Sequence, residues 1–363
     1  MKSFSLTQKC KFMFLIVSFF LTNCDSNNDV DNTIDESTVN HVSGTIQEGG
    51  EIIISGDNFG NPSVDNRPVL YFDGSSAALS PLGKNTLIPE SNETLQFAND
   101  TEIEPFGNAV GSIRYTPDPD EFSTSTIGGF AIDGEFLYVA QPRYFNHDIY
   151  EPEAAGGYNL KHLRMWQLNN GGSIANGNTY YGVNNNVLMT ENSPGDNADY
   201  MDNTVPQNSW QFFEALFIES DIDTKNGIFL VRFDGNYPNN IDEFRITRTN
   251  EYPDSYKKLF FDQRSNGSPS GNTNYHIYSG QTIVYDSPYI VWISDSEDIN
   301  VAKIREPMII KSWSENQIVA QVRQGRFVNF DDAYLIITVG YDRGDLNDPK
   351  TAGFTQLEAR KIQ

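Results

Sequence analysis

Basic side chains are scarce in this chain. Its 363 residues hold 25 Lys and Arg against 49 Asp and Glu, a formal net charge of −24. Nucleic-acid binding depends on Lys and Arg neutralising phosphates, so this balance excludes a nucleic-acid partner. It also weighs against a strongly anionic glycan unless a cation intervenes. Histidine is rarer still: His41, His147, His162 and His276 are scattered, and zinc needs several His or Cys ligands at close spacing. Only two cysteines occur, Cys10 and Cys24. Helical signals are nearly absent, with no sustained i, i+3, i+4 apolar spacing and capping. The longest apolar run, Phe12–Leu21, is broken only by Ser18 and falls short of the roughly 20 residues a spanning helix needs. No phosphate-cradling glycine loop and no Ser-His-Asp pattern stands out.

The N-terminus reads as an address. Lys2, Lys9 and Lys11 precede the short apolar core, the order of an export signal. Leu21-Thr22-Asn23-Cys24 follows and resembles the lipobox of bacterial lipoproteins. Asn23 departs from that pattern, which prefers Gly, Ala or Ser there. The resemblance implies that residues 1–23 are a signal peptide and that Cys24 becomes a lipidated N-terminus. Both cysteines are then spent, and no internal disulfide remains. Residues 24–41 carry five acids before Ser37 and no aromatic residue, too little apolar surface to offset the entropy of ordering. They are expected to be an acidic, disordered tether. Asp25, Asp29 and Asp31 are similar to the acidic surface-export signal of Bacteroidetes-type lipoproteins. That resemblance implies a lipid-anchored protein exposed at the cell outer membrane.

Strand signals fill the rest. Short runs rich in Val, Ile, Phe and Tyr, such as 51–56, 136–142, 161–168, 210–219, 228–235, 288–294, 316–322 and 333–340, end in Gly, Asn, Asp or Pro, the pattern of an all-β sandwich or jelly roll. Asn226-Gly227 between two of the best runs predicts a tight turn. Residues 43–60, with Gly56-Asp57-Asn58-Phe59-Gly60, resemble the opening of an IPT/TIG Ig-like domain. The later strands of that family appear only at 305–322, around Trp313, and at 331–340. The resemblance implies a split Ig-like β-sandwich (42–80 plus 304–345), with residues 346–363 as a C-terminal tail. The inserted region, 85–303, resembles a concanavalin A-like jelly roll.

Alternate residues on a strand face opposite ways, so three runs can be sorted. Leu163 and Met165 oppose His162, Arg164 and Trp166. Phe213, Ala215 and Phe217 oppose Trp210, Phe212 and Glu214. Phe229, Val231 and Phe233 oppose Arg232 and Asp234. The apolar set is expected between two sheets. The mixed set, His162, Arg164, Trp166, Trp210, Glu214, Arg232 and Asp234, is the candidate ligand face: aromatic rings stack on sugar C–H patches and polar groups bond hydroxyls. Cross-strand Arg–Glu pairs also stabilise a face without any ligand.

The expectation is a surface glycan-binding lipoprotein that hands polysaccharide to outer-membrane uptake partners. A lyase or hydrolase and an adhesive surface protein are the alternatives. Glycoside hydrolysis needs two carboxyl groups at one bond, but Glu214 and Glu219 are five apart and face opposite ways. A lyase would use Tyr with His or Arg, and His276 and Tyr278 share one side of a strand. No cofactor is implied. Asp196, Asp199 and Asp202, or Asp342, Asp345 and Asp348, offer oxygens for a structural calcium, although Asp-rich segments are commonly turns.

Overall fold

The computed structural model describes residues 38–62, 65–74, 82–84, 95–99, 103–107, 109, 111–115, 126–146, 159–167, 176–182, 187–192, 197–202, 205–238, 244–262 and 276–362. Cys24 and most of the expected tether lie outside them. The described chain is all-β apart from one 3-10 turn at Pro349–Thr351. We number its strands β1 to β22 in chain order, and they form four antiparallel sheets.

The first sheet joins the start of the described chain to residues 309–321. Its order is β1 (Thr38–Gly44), β2 (Glu51–Asp57), β20 (Gln317–Gln321), β19 (Ile309–Trp313). Strand β2 buries Ile52, Ile54 and Gly56 and turns Glu51 and Asp57 to solvent. That period of two is what one covered face requires. Ile54 lies opposite Ile318 and Ile52 opposite Ala320, so the buried rows of β2 and β20 coincide. Residues 38–41, expected in the tether, open β1.

The second sheet runs β18 (Arg305–Pro307), β17 (Tyr289–Ser294), β21 (Tyr334–Asp342), β22 (Gly353–Lys361). It redraws two expected boundaries. Residues 289–294, assigned by sequence to the inserted region, pair with β21. Residues 353–361, set apart as a tail, pair with β21 on its other side. Phe354 is buried and Leu357 and Ala359 pack against the core, on either side of a register shift in the pairing with β21. This sheet packs on the first, with Tyr289 edge-on to Trp313 at 5.6 Å and the Val39 amide donating to Glu358 at 2.7 Å.

The third sheet has eight strands. The main path is β13 (Ile228–Phe233), β12 (Trp210–Ile218), β7 (Phe136–Phe145), β15 (Ile277–Ser279), β5 (Gly111–Tyr115), β4 (Leu95–Asn99). Strand β16 (Thr282–Tyr285) joins the other half of β7 to β3 (Leu70–Phe72). So residues 70–72, expected in the Ig-like part, belong to the large sheet. The fourth sheet runs β11 (Asn197–Asp202), β10 (Val187–Asn192), β9 (Asn176–Gly182), β8 (Asn159–Trp166), β14 (Lys258–Asp262), β6 (Thr126–Ala131).

The eight-stranded sheet is covered on both faces. Its odd face, with Phe213 and Phe217 of β12, meets His162 of β8 at 4.5 Å and Tyr256 at 5.4 Å. Its even face, with Tyr138 of β7, meets Trp292 of β17 at 5.0 Å and Phe354 of β22 at 5.8 Å. Double coverage explains why β12 reads WQFFEALFI, with almost every position buried. The connection from β12 to β13 is not the expected Asn-Gly turn. Positive φ falls on Asp223, at 54°, and the Asn226 side chain closes the loop by donating to the Asp221 carboxylate at 2.7 Å and accepting from the Asp221 backbone amide at 2.9 Å.

Candidate functional site

The seven residues of the expected ligand face do not share a surface, because β8 and β12 belong to different sheets. His162 points inward. The pairing of β8 with β9 slips between Lys161 and Arg164, and such a bulge breaks the alternation, so His162 and its neighbour Leu163 are both fully buried. The His162 ring meets the Gln141 amide oxygen at 2.5 Å, and the Gln141 amide nitrogen bonds Thr282 at 3.1 Å. Burial and, after it, the nearby Arg143 charge push the His162 pKa well below its usual value.

Arg164 is buried and Trp166 half-buried on β8. The guanidinium stands 5.0 Å over the Trp166 ring, and Trp166 packs on Phe260 at 4.4 Å. Sequence reasoning did not single out Phe260, although its alternation with the buried Leu259 and Phe261 gives its direction.

Glu214 and Arg232 are sealed beneath the second sheet. Glu214 Oε1 accepts from Arg305 Nε at 2.8 Å and from the Tyr138 hydroxyl at 2.8 Å, and Arg232 stands 3.8 Å from Oε2. Glu214 is only 1% exposed. Burial alone would raise its pKa, but Arg305, Arg232 and Arg326 outweigh that and hold it at about 2. Arg232 also donates to the Gly235 carbonyl at 2.9 Å and to that of Ala302. The network continues through Glu306, which pairs with Arg323 at 2.9 Å and with Arg326 at 2.7 Å. Asp234 ends β13 with a φ of 50° and accepts from the Phe212 amide at 2.9 Å. These three residues bind protein. Glu219 lies past the end of β12 and accepts from the Ser255 hydroxyl at 2.6 Å, so it does not meet Glu214.

Trp210 is the exception on that face. In register across the eight-stranded sheet lie Arg114 of β5, Tyr278 of β15, Tyr144 of β7 and Trp210 of β12. Tyr144 is 5.7 Å from Tyr278 and 5.4 Å from Trp210, both edge to face, within the range that aromatic pairs prefer. His276 adds a ring 6.2 Å from Tyr278 and is fixed by its amide, which donates to the Asn146 side chain at 2.7 Å. Trp210 is held from above: its indole N–H donates to the Glu104 carbonyl at 2.8 Å, and Phe106 meets it at 5.7 Å. From below, Gly280 lets it sit close, since a Cβ there would stand 3.3 Å from the indole and 2.9 Å from Pro142. Arg114, Tyr144, Trp210 and His276 all remain half-buried. The row joins Trp210, expected in the ligand face, to His276 and Tyr278, expected on one side of a strand. Tyr144 and Arg114 were missed, because only the pairing of β5, β15, β7 and β12 aligns them.

Of the candidate calcium loops, the segment holding Asp196 lies partly outside the described residues. In the other, Asp342, Asp345 and Asp348 accept amides of their own turns, Gly344 at 2.9 Å, Asn347 at 2.9 Å and Lys350 at 3.0 Å. Among the described residues no group of three His, Cys, Asp or Glu stands together as a metal site.

No protein-family model matches the sequence, and no curated protein matches it. Solved structures do resemble the fold. The endo-β-1,4-glucuronan lyase of the fungus Trichoderma reesei aligns over 60% of this chain and 95% of its own, at 13% identity and a TM-score of 0.43. The marine PL-14 alginate lyase of Aplysia kurodai aligns over 62% of this chain and 99% of its own, at 9% identity and a TM-score of 0.40. Botulinum neurotoxin type C, in a structure describing interaction with two ganglioside molecules, aligns over 79% of this chain and 68% of its own, at 11% identity and a TM-score of 0.40. Similarity at this level carries no argument about activity.

Proposed function

We propose that this protein binds carbohydrate along the Arg114–Tyr278–Tyr144–Trp210 row. The observation that carries the reading is the row itself: three aromatic rings and a guanidinium on one face of four adjacent strands, held by backbone register and by Gly280, with most members half-exposed. Rings fixed in this way lose little entropy on binding. The Tyr144 hydroxyl, Arg114 and His276, all half-buried, supply hydrogen bonds for sugar hydroxyls, while Tyr278 is buried at the centre of the row. The acidic charge of the chain favours neutral glycans. Attachment through a lipid on Cys24, export to the outer leaflet and transfer to outer-membrane uptake partners complete the proposal. In it the two smaller sheets form an Ig-like spacer beneath a jelly roll.

Affinity electrophoresis of the full chain against neutral glycans tests the reading. Retardation by at least one glycan that disappears in Trp210→Ala is the expected result. Unchanged mobility in every gel would sink it.

Adjacency of Tyr278, His276 and Arg114 favours a second reading, a polysaccharide lyase. There a base removes the proton beside a uronate carboxylate, its electron pair forms a ring double bond, the glycosidic C–O bond breaks, and the leaving oxygen takes a proton from an acid such as the Tyr hydroxyl. Ultraviolet absorbance growing on addition of a uronate polymer, and lost in His276→Ala and Tyr278→Phe, would establish it.

A further inference from the structure

The first sheet carries a separate concave surface. A cleft of about 210 Å³ lies between β19 and the described residues 62 and 65–67, lined by Pro62, Asn66, Arg67, Lys311, Ser312 and Trp313 among others. Trp313 is its fixed wall. The indole N–H donates to the Phe59 and Gly60 carbonyls at 3.2 and 3.3 Å, and Tyr289 stands edge-on to the ring. The side chain is still half-buried rather than enclosed.

Asn66 forms another wall. It is 5% exposed, and its amide nitrogen donates to the Tyr289 carbonyl at 2.6 Å. Its amide oxygen is sealed from solvent and accepts no hydrogen bond, so Asn66 shapes the wall and does not itself bond an occupant. The rim is charged yet balanced: Arg67 pairs with Asp65 at 2.6 Å and Lys311 with Glu51 at 2.9 Å. Each cation already has its anion, so the cleft offers no surplus charge to a phosphate, sulfate or carboxylate. Its volume lies below the roughly 300 Å³ where drug-sized pockets begin, which suits one ring and not a chain of several.

A half-buried indole wall, an exposed serine hydroxyl and a neutral polar rim in a one-ring volume define the occupant. We infer that this cleft is a second carbohydrate site, taking a single neutral hexopyranose residue. The inference uses residues of the first sheet with residues 62 and 65–67 alone and does not require a ligand on the Trp210 row.

The test uses the full chain carrying Trp210→Ala, so that the row is silenced. The probes are methyl β-D-glucopyranoside, methyl α-D-mannopyranoside, methyl β-D-galactopyranoside, cellotetraose, laminaritetraose and mannotetraose, with glucuronate as the charged control. Saturation-transfer NMR reads binding. Transfer to at least one neutral probe, none to glucuronate, and at least tenfold weaker affinity in Trp313→Ala are expected. Ser312 is exposed, so Ser312→Glu blocks the mouth without touching the core and should act alike even if Trp313→Ala folds poorly. No transfer to any neutral probe, or affinity unchanged in Ser312→Glu, overturns the inference. Loss of all binding on Trp210→Ala alone would leave the row standing and remove the cleft; binding lost only on Trp313→Ala would do the reverse.

Discussion

Trp210 and Glu214 stand on the same face of the same strand, about 13 Å apart along it, yet they live in different environments. Glu214 lies under the second sheet, where Arg305, Arg232 and Tyr138 surround it. Trp210 lies beyond that cover, beside Tyr144 and Phe106, and stays half-exposed. A polar residue on a sheet face therefore says little about binding until the covering layer is known. Glu214 holds two sheets together; Trp210 stays half-exposed.

Removing the Glu214 charge is the most severe way to break this contrast. Glu214→Ala leaves Arg305 and Arg232 buried without their anion, a change that costs about 3–5 kcal/mol. Urea denaturation should show a lower midpoint or no folded protein at all. A variant as stable as the parent would mean that the network contributes no net stability. Trp210→Ala, by contrast, should leave a folded chain that has lost glycan retardation.

Acid should reproduce part of the first effect. Glu214 is held at about 2, below its ordinary 4.5, so its contribution is complete above about pH 4.5 and is lost as pH falls toward 2. A shift of that size is worth on the order of 3 kcal/mol. His162 acts in the same direction at higher pH. Its pKa is depressed below the usual 6.5, so stability is intact above that value and declines below it as the unfolded chain takes up the proton. Urea midpoints measured from pH 7.5 to 3 should fall in two stages. His162→Gln should flatten the upper stage and leave the lower one; a single stage unchanged by that substitution would refute the assignment.

How much of this was visible beforehand depended on range. The all-β character and the buried row of β2 follow from local alternation, and Ile52 and Ile54 could be placed inside without any partner strand. The Trp210 row could not, because it exists only through non-local pairing of β5, β15, β7 and β12. His162 was misdirected by one slipped residue in β8, which no period of two reveals. Glu214 and Arg232 were correctly grouped on one face, but what covers that face is a sheet drawn from residues 289–361. The Asn226-Gly227 turn failed because the side chains of Asp221 and Asn226 close a longer loop and place the positive φ on Asp223.

The mildest test adds one methyl group beneath Trp210. Gly280 donates its amide to Pro142 at 2.9 Å, and an added Cβ would crowd the Pro142 ring at 2.9 Å and the indole at 3.3 Å. The fold can absorb this by a small shift of Trp210 away from the sheet, since overpacking of this kind costs about 1–3 kcal/mol in a tight core and less where the neighbour is half-exposed. Tilting the indole also moves it against Tyr144 and spoils the shared face of the row. Gly280→Ala should therefore weaken glycan retardation several-fold while shifting the urea midpoint far less than Glu214→Ala does. Equal retardation in Gly280→Ala and the parent would show that the ligand does not use the face of Trp210, and the difference drawn between the two ends of β12 would have to rest on stability alone.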